Sequence, residues 1–221
     1  PDLLQADVAI LGEPTGTAVE AGCQGVLRSE VTLCGERAHV ARPWTGVNAI
    51  HRAAPLLAWL AQFEPRQPVV GGCGFRESLQ AVSFSGGVSN NVVPDRATIE
   101  LSYRFAPDLD VSGADGRLRQ ALNLFCDPTK GDEIRIVDSA PAAAPGLDHP
   151  VLASLVAASG RPVSAKLAWT DVALFTERGI PAANFGPGDP LLAHRPDERV
   201  TRTQLESAYR TLKSVLEAPR A

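Results

Sequence analysis

The pattern that most constrains this chain is a β-α-β-β-α-β order across its middle, set between two flanks that read differently. Val26–Leu33 alternates, imperfectly, between apolar and polar side chains, as a half-buried strand does. Val47–Phe63 puts Val47, Ile50, Ala54, Leu57 and Ala61 on one face of a predicted helix. Leu79–Ser85 and Thr98–Phe105 read as strands, the second with Ile99, Leu101, Tyr103 and Phe105 at alternate positions. Gly116–Phe125 carries Leu118, Ala121, Leu122 and Phe125 at helical spacing, and Glu133–Val137 closes the set. A split β-α-β unit of this kind makes a four-stranded antiparallel sheet with two helices on one face.

The flanks return to α/β alternation. Val8–Leu11 is a short apolar run of the type buried on both faces of a sheet, broken by Gly12-Glu13-Pro14-Thr15-Gly16, and Val19–Gly25 leads onward. Beyond a Pro- and Gly-rich crossing at Ala140–Gly146, Val151–Ser159 is helical up to Gly160. Asp171–Arg178 is a second helix, and Ile180–Phe185 a buried strand opening into Gly186-Pro187-Gly188. The last helix begins at Thr201 with Gln204 three residues on, a capping-box spacing, and carries the apolar stripe Leu205, Ala208, Tyr209, Leu212, Val215 and Leu216. The economical architecture is one α/β domain built from residues 1–25 and 139–221, interrupted by a ferredoxin-like α+β domain at residues 26–138.

Composition removes several alternatives. With 44% hydrophobic and 21% charged residues among 221, the chain is neither disordered nor a disulfide scaffold. A net charge of −4, with no basic run interleaved with aromatics, speaks against nucleic acid as a partner. No apolar stretch is long enough for a bilayer, so no membrane is expected. The four cysteines stand apart without metal-ligand spacing, which fits reduced thiols in the cytoplasm. The absence of methionine, and a core-strand pattern within the first residues, suggest part of a longer chain.

No single chemical motif dominates: there is no H-E-x-x-H, P-loop, G-x-S-x-G or post-strand G-x-G-x-x-G. Candidates come from position. Glu13 follows a buried strand, where ligands bind in α/β sheets; its plain alternative is a solvated loop acid. His194 follows a second buried strand and a Gly-Pro-Gly loop, and His with Glu is an ordinary zinc pair; a loop histidine is the alternative. His39 lies between a strand and a helix of the inserted unit, as an oxyanion donor or a turn residue. Asn90, Asn91 and Arg104 suit a carboxylate, against turn chemistry for the pair and a surface cation for Arg104. Thr170-Asp171 reads first as a helix cap. His51 and His149 read as structural.

Read in order, these segments resemble the dinuclear-zinc metallopeptidase and deacylase family of desuccinylases, deacetylases, aminoacylases and carboxypeptidases. The resemblance rests on Gly12-Glu13-Pro14-Thr15, Gly35-x-x-x-His39, Asn48-Ala49-Ile50, Ser89-Asn90-Asn91-Val92-Val93-Pro94, Arg104, Thr170-Asp171 and Phe185-Gly186-Pro187…His194. The His39–Pro43, Asn48–Ala54 and Ser89–Pro94 stretches look most like its desuccinylase branch, and Glu20–Gly25 and Tyr103–Pro107 like actinobacterial members.

What the resemblance implies is a partial zinc-peptidase-like catalytic domain carrying a dimerisation, or lid, domain at 26–138. Two zinc ions would serve each active site, Glu13 ligating one and His194 the other. His39 would act as oxyanion donor in the partner subunit of a homodimer. Asn90, Asn91 and Arg104, with Thr170 and the Gly186 backbone nearby, would hold a small substrate while water attacks a succinyl amide. Family members carry the remaining ligands and the general base in a His-x-Asp motif and a Glu-Glu pair upstream of the Glu-Pro-Thr loop. Neither occurs in residues 1–12, so this chain by itself is expected to be catalytically incomplete. A related deacylase or aminoacylase, or a non-catalytic dimerising piece, shares nearly all of these residues.

Overall fold

Apolar side chains at alternate positions of two ten-residue strands are buried only if both strands turn one face to a common layer. The computed structural model describes residues 5–217 and has that arrangement. The elements run β1 (Ala9–Leu11), β2 (Glu20–Ala21), β3 (Gly25–Cys34), α1 (Ala49–Arg52), α2 (Ala54–Ala61), β4 (Val69–Val70), β5 (Cys73–Gly74), β6 (Ser78–Gly86) and β7 (Arg96–Phe105). They continue as α3 (Val111–Leu122), β8 (Glu133–Ala140), α4 (Pro150–Ser159), β9 (Ser164–Ala165), α5 (Val172–Thr176), β10 (Ala182–Asn184) and α6 (Arg202–Glu217).

The larger sheet has the order β6-β7-β3-β8, antiparallel throughout. Leu27, Val31 and Leu33 of β3, with Ile99, Leu101 and Phe105 of β7, pack against Leu56 and Leu60 of α2 and Leu118 and Leu122 of α3. Burying each such side chain contributes about 1.5–3 kcal/mol, so this layer is the main source of cohesion.

Three details differ from the sequence reading. The single helix expected over Val47–Phe63 is two, broken at Ala53: Asn48 caps the first through Ile50 N–H, and Pro55 has no N–H to continue its ladder. The second helix begins at Val111 rather than Gly116, because the Asp110 carboxylate accepts from Gly113 N–H at 2.6 Å. The hairpin β4-β5 was not expected. It turns on Gly71-Gly72, whose φ angles of 54° and 77° suit glycine.

The smaller sheet has the order β1-β10-β2-β9 and draws on both flanks of the chain. β1 and β10 are parallel, β2 runs against β10, and β9 runs with β2. β1, expected to be buried on both faces, is half-buried, since β10 is its one pairing partner among the described residues. Val19, Phe185, Leu152, Leu155, Ala208 and Val215 form the core beneath α4 and α6. The Thr201–Gln204 capping box forms in both directions at 3.2 Å. Only part of the predicted α6 stripe is buried, however: Ala208 and Val215 are inside, while Leu205, Tyr209 and Leu216 face outward. His149 caps α4 by accepting from Val151 N–H at 3.3 Å. Residues 1–4 of the expected 1–25 segment lie outside the described residues, as do residues 218–221.

Where the chain passes between the sheets, its two crossings pair: Cys23 and Ala143 exchange backbone hydrogen bonds of 2.9 and 3.0 Å. Two buried carboxylates fix the larger sheet. Glu77 accepts from Arg66 at 2.6 and 3.1 Å, from Tyr103 Oη at 3.0 Å and from Ala106 N–H at 3.0 Å. Burial, followed by the Glu77 charge, pushes the Tyr103 phenol up to about 12. Asp132, whose side chain is 0% exposed, holds Arg52 bidentately at 2.6 and 2.7 Å and the N–H groups of Cys34 and Asp127 at 2.8 Å each.

Candidate active site

Two loops leave the carboxyl ends of the parallel neighbours β1 and β10, and they are zipped together. Thr17 N–H donates to Gly186 O at 2.9 Å, Gly16 N–H to Gly188 O at 2.7 Å, and Gly186 N–H to Thr15 Oγ1 at 3.1 Å. A Cβ on Gly186 would stand 2.5 Å from Glu13 O, so only glycine lets the loops lie this close. The Gly186 N–H, part of the backbone expected near a substrate, is engaged by Thr15. The role of Gly186 is to let the Glu13 loop settle against it.

Beside Glu13 lies a residue that the sequence reading did not single out. The Lys166 side chain, 7% exposed, places Nζ 2.8 Å from Glu20 Oε2, 4.0 Å from Glu13 Oε2 and 3.4 Å from Pro14 O. Its position next to the two-residue strand β9 gave no periodic signal. A buried ammonium requires such partners.

His194 follows the single turn Pro190–Leu192 after Gly188, is exposed, and has φ of 64°. Its N–H donates to Glu198 Oε2 at 2.9 Å. A left-handed histidine is uncommon and persists where its surroundings hold it.

Thr170 does not serve as a helix cap. Asp171 makes no side-chain cap either, and α5 starts with Ala173 N–H donating to Thr170 O. The Thr170 hydroxyl is buried without a hydrogen-bond partner among the described residues. The same is true of Asn184 Oδ1 and Trp169 Nε1, whereas Glu20 Oε2 is ion-paired with Lys166 Nζ at 2.8 Å.

The remaining candidates lie on the larger sheet, at opposite ends of it. His39 and Val92 form a bridge, Val93 N–H donates to Ala38 O at 2.8 Å, and Val40 N–H to Asn91 O at 3.1 Å. His39, Asn90 and Asn91 therefore share one exposed tip, beyond Cys34 and Arg96. His39 Nδ1 accepts from Ala41 N–H at 3.0 Å, which leaves Nε2 carrying the proton of the neutral ring.

Arg104 stands eight residues along β7 from Arg96, about 26 Å away at the usual strand rise. It is opposite Val26, beside the crossing to the smaller sheet. Half-buried on the face away from the helices, it has no ion-pair or hydrogen-bond partner among the described residues. Burial holds its pKa below the usual guanidinium range. The structure thus brings Glu13 and Gly186 together, keeps His39 with Asn90 and Asn91, and separates that tip from Arg104 by the length of a strand.

Zinc sites take three or four protein ligands. Glu13 and His194 have suitable donor chemistry, but among the described residues no three His, Cys, Asp or Glu side chains converge as a metal-holding group. These residues do not form a metal centre on their own.

Residues 22–129 match the Peptidase dimerisation domain family. Over 98% of its length the chain is 47% identical to a protein assigned as succinyl-diaminopimelate desuccinylase in Mycobacterium tuberculosis, covering 60% of that protein. It is 44% identical, again over 98% of its length, to succinyl-diaminopimelate desuccinylase of Corynebacterium glutamicum, covering 58% of it. The chain thus spans less than two thirds of these curated relatives. Among solved structures, an M20 family metallo-carboxypeptidase of Sulfolobus solfataricus superposes with a TM-score of 0.71 at 17% identity, over 97% of this chain and 63% of that one. Aminopeptidase PepT of Bacillus cereus gives 0.70 at 17% identity, over 97% and 57%. Over nearly its whole length the chain is thus similar to succinyl-diaminopimelate desuccinylases, and its residues 22–129 match a peptidase dimerisation domain.

Proposed function

We propose that this chain belongs to a hydrolase that cleaves the amide of N-succinyl-LL-2,6-diaminopimelate to succinate and LL-2,6-diaminopimelate, in lysine biosynthesis. The observation that carries the reading is the 44–47% identity to desuccinylases, which runs over 98% of the chain. The division into residues 1–25 and 139–221 around a lid at 26–138 belongs to the same proposal.

Each end of the substrate has a complement in this chain. Arg104, half-buried and without a carboxylate of its own, is a bidentate fork for a substrate carboxylate. Asn90 and Asn91 add neutral donors, and the unpartnered Thr170 hydroxyl is suited to a polar group of the ligand. Hydrolysis needs water added to the succinyl carbonyl carbon, a donor for the oxygen that becomes negative, and a proton for the departing amine. His39, with Nε2–H free, supplies the donor. In this reading the tip that carries it, a strand's length from Arg104, serves the partner subunit of a homodimer.

Zinc is the metal of the reading, with Glu13 and His194 giving one ligand each to two ions. Because those two side chains make no centre by themselves, no catalytic step is assigned through the metal here. Four free cysteines suit a reducing compartment, the cytoplasm, and no helix among the described residues is long and apolar enough to cross a membrane.

The test is a substrate panel on the protein at its natural length, with succinyl and acetyl donors compared before and after chelation. Turnover of the succinyl substrate that chelator abolishes supports the proposal. Turnover of acetylornithine alone, or full turnover after chelation, overturns it.

A further inference from the structure

Arg76 is exposed, and its guanidinium, like that of Arg104, has no ion-pair or hydrogen-bond partner among the described residues. An exposed arginine needs no explanation by itself. The backbone that carries this one does, because it is held from three directions. Phe75 N–H donates to Pro68 O at 2.9 Å, and Glu77 N–H to Arg66 O at 3.0 Å. Between them Arg76 O accepts from Gln24 Nε2 at 2.6 Å, and Gln24 is 2% exposed. A buried amide committed to the carbonyl of an exposed residue fixes the point from which its side chain starts. The adjoining acid is no partner for that side chain, since Glu77 is already engaged by Arg66, Tyr103 and Ala106.

Arg76 borders a cleft of about 400 Å³ that Gln24, Ser78, Gln80, Phe63 and Leu167 also line. The cleft joins the two candidate regions at the crossing. Ser78 is the partner of Arg104 in the register of β6 with β7, and Arg76 lies two residues before it, about 7 Å along an extended chain. On the other side, Gln24 N–H donates to Ala168 O at 3.1 Å, which draws the 166–170 segment alongside. Leu167 lines the cleft, while Lys166, one residue earlier, lies 4.0 Å from Glu13. Glu77 is the one acid of the lining, and Arg66 neutralises it. A cation left unpaired beside the apolar walls of Phe63, Pro65 and Leu167 directs its field into the cleft.

We infer that Arg76 is a second carboxylate clamp, holding a carboxylate of the substrate other than the one on Arg104. The inference rests on the proposed function. The substrate of that reading carries three carboxylates, more than one guanidinium fork can hold. The fixed backbone of Arg76 presents a further fork at the same end of the sheet.

The experiment is steady-state kinetics of the protein at its natural length, with succinate and 2,6-diaminopimelate as inhibitors, for the parent, Arg76→Gln and Arg76→Lys. Arg76→Gln should raise KM for the succinyl substrate at least about ten-fold and leave kcat within about two-fold, because a clamp remote from the amide grips ground and transition states alike. It should weaken at least one of the two inhibitors by the same factor, and the inhibitor affected names the end of the substrate that is held. Arg76→Lys keeps the charge without the fork and should recover only part of the loss. The side chain is exposed, so neither change threatens folding. Unchanged KM and inhibition in Arg76→Gln, or a loss confined to kcat, overturn the inference and leave the proposed function standing. Full recovery in Arg76→Lys overturns it as well, since general attraction would then suffice. A parent that neither turns over the succinyl substrate nor binds either inhibitor overturns the proposed function and the inference with it.

Discussion

The larger sheet and the smaller one treat buried polar groups in opposite ways. In the larger sheet, Glu77 and Asp132 are surrounded by donors: an arginine fork each, two backbone N–H groups for Asp132, and one plus a phenol for Glu77. Ser29 Oγ is that sheet's one orphan among the described residues. In and beside the smaller sheet, Thr170 Oγ1, Asn184 Oδ1 and Trp169 Nε1 are buried without a hydrogen-bond partner among the described residues. Saturated networks specify a fold, whereas orphaned groups cost stability and persist where a ligand or a further protein segment satisfies them.

Four substitutions sharpen or break that contrast. Glu77→Ala should have the largest effect, lowering stability by about 3–5 kcal/mol in urea denaturation because it strands the Tyr103 hydroxyl and the Ala106 N–H. A loss under about 1 kcal/mol would mean the network is dispensable.

Asp132→Asn should destabilise at neutral pH and flatten the acid limb of the stability curve. Burial by itself would raise the Asp132 carboxyl, but Arg52 and the Cys34 and Asp127 N–H groups together hold it below its ordinary value. The carboxyl therefore titrates lower in the folded chain than in the unfolded one. Its stabilisation is complete above the unfolded value of about 3.9 and drains away as pH falls through the folded one. An unchanged acid limb in the variant would refute this assignment.

Gly186→Ala forces a methyl against Glu13 O and should cost about 1–3 kcal/mol by pushing the two loops apart. Melting by circular dichroism checks it. Thr170→Val should be the mildest, within about 0.5 kcal/mol of the parent, since the hydroxyl has no bond to lose. A larger penalty would mean that the hydroxyl is satisfied in solution after all, and the contrast would fail at its clearest point.

The fold was readable where periodicity was long. Ile99, Leu101, Tyr103 and Phe105 announce β7, and the Thr201–Gln204 box announces α6. It was unreadable where one residue overrides a pattern, as Pro55 does in splitting a helix, or where an element has two residues, as β9 does. Among site residues, Glu13 could be placed because it follows a strand end, and His39 because it sits between strand and helix. Lys166 could not, because its importance comes from Glu20 and Glu13, distant in sequence and brought near by the register of β2 with β9. The orphan state of Thr170 was likewise hidden, since Thr-Asp before a helix usually means a cap.

The length of β7 has a consequence for inheritance. If the tip of each chain serves its partner, as proposed, every site is a joint product, and a fault at the tip and a fault at Arg104 fall in different places. Co-express a chain carrying His39→Ala with one carrying Arg104→Met. In the mixed dimer, one site receives both faults and the other receives neither. If subunits pair at random, half of the dimers are mixed, and about a quarter of the parental activity returns from two inactive parents. Two defective alleles would then rescue each other only when their lesions lie at opposite ends of the same strand.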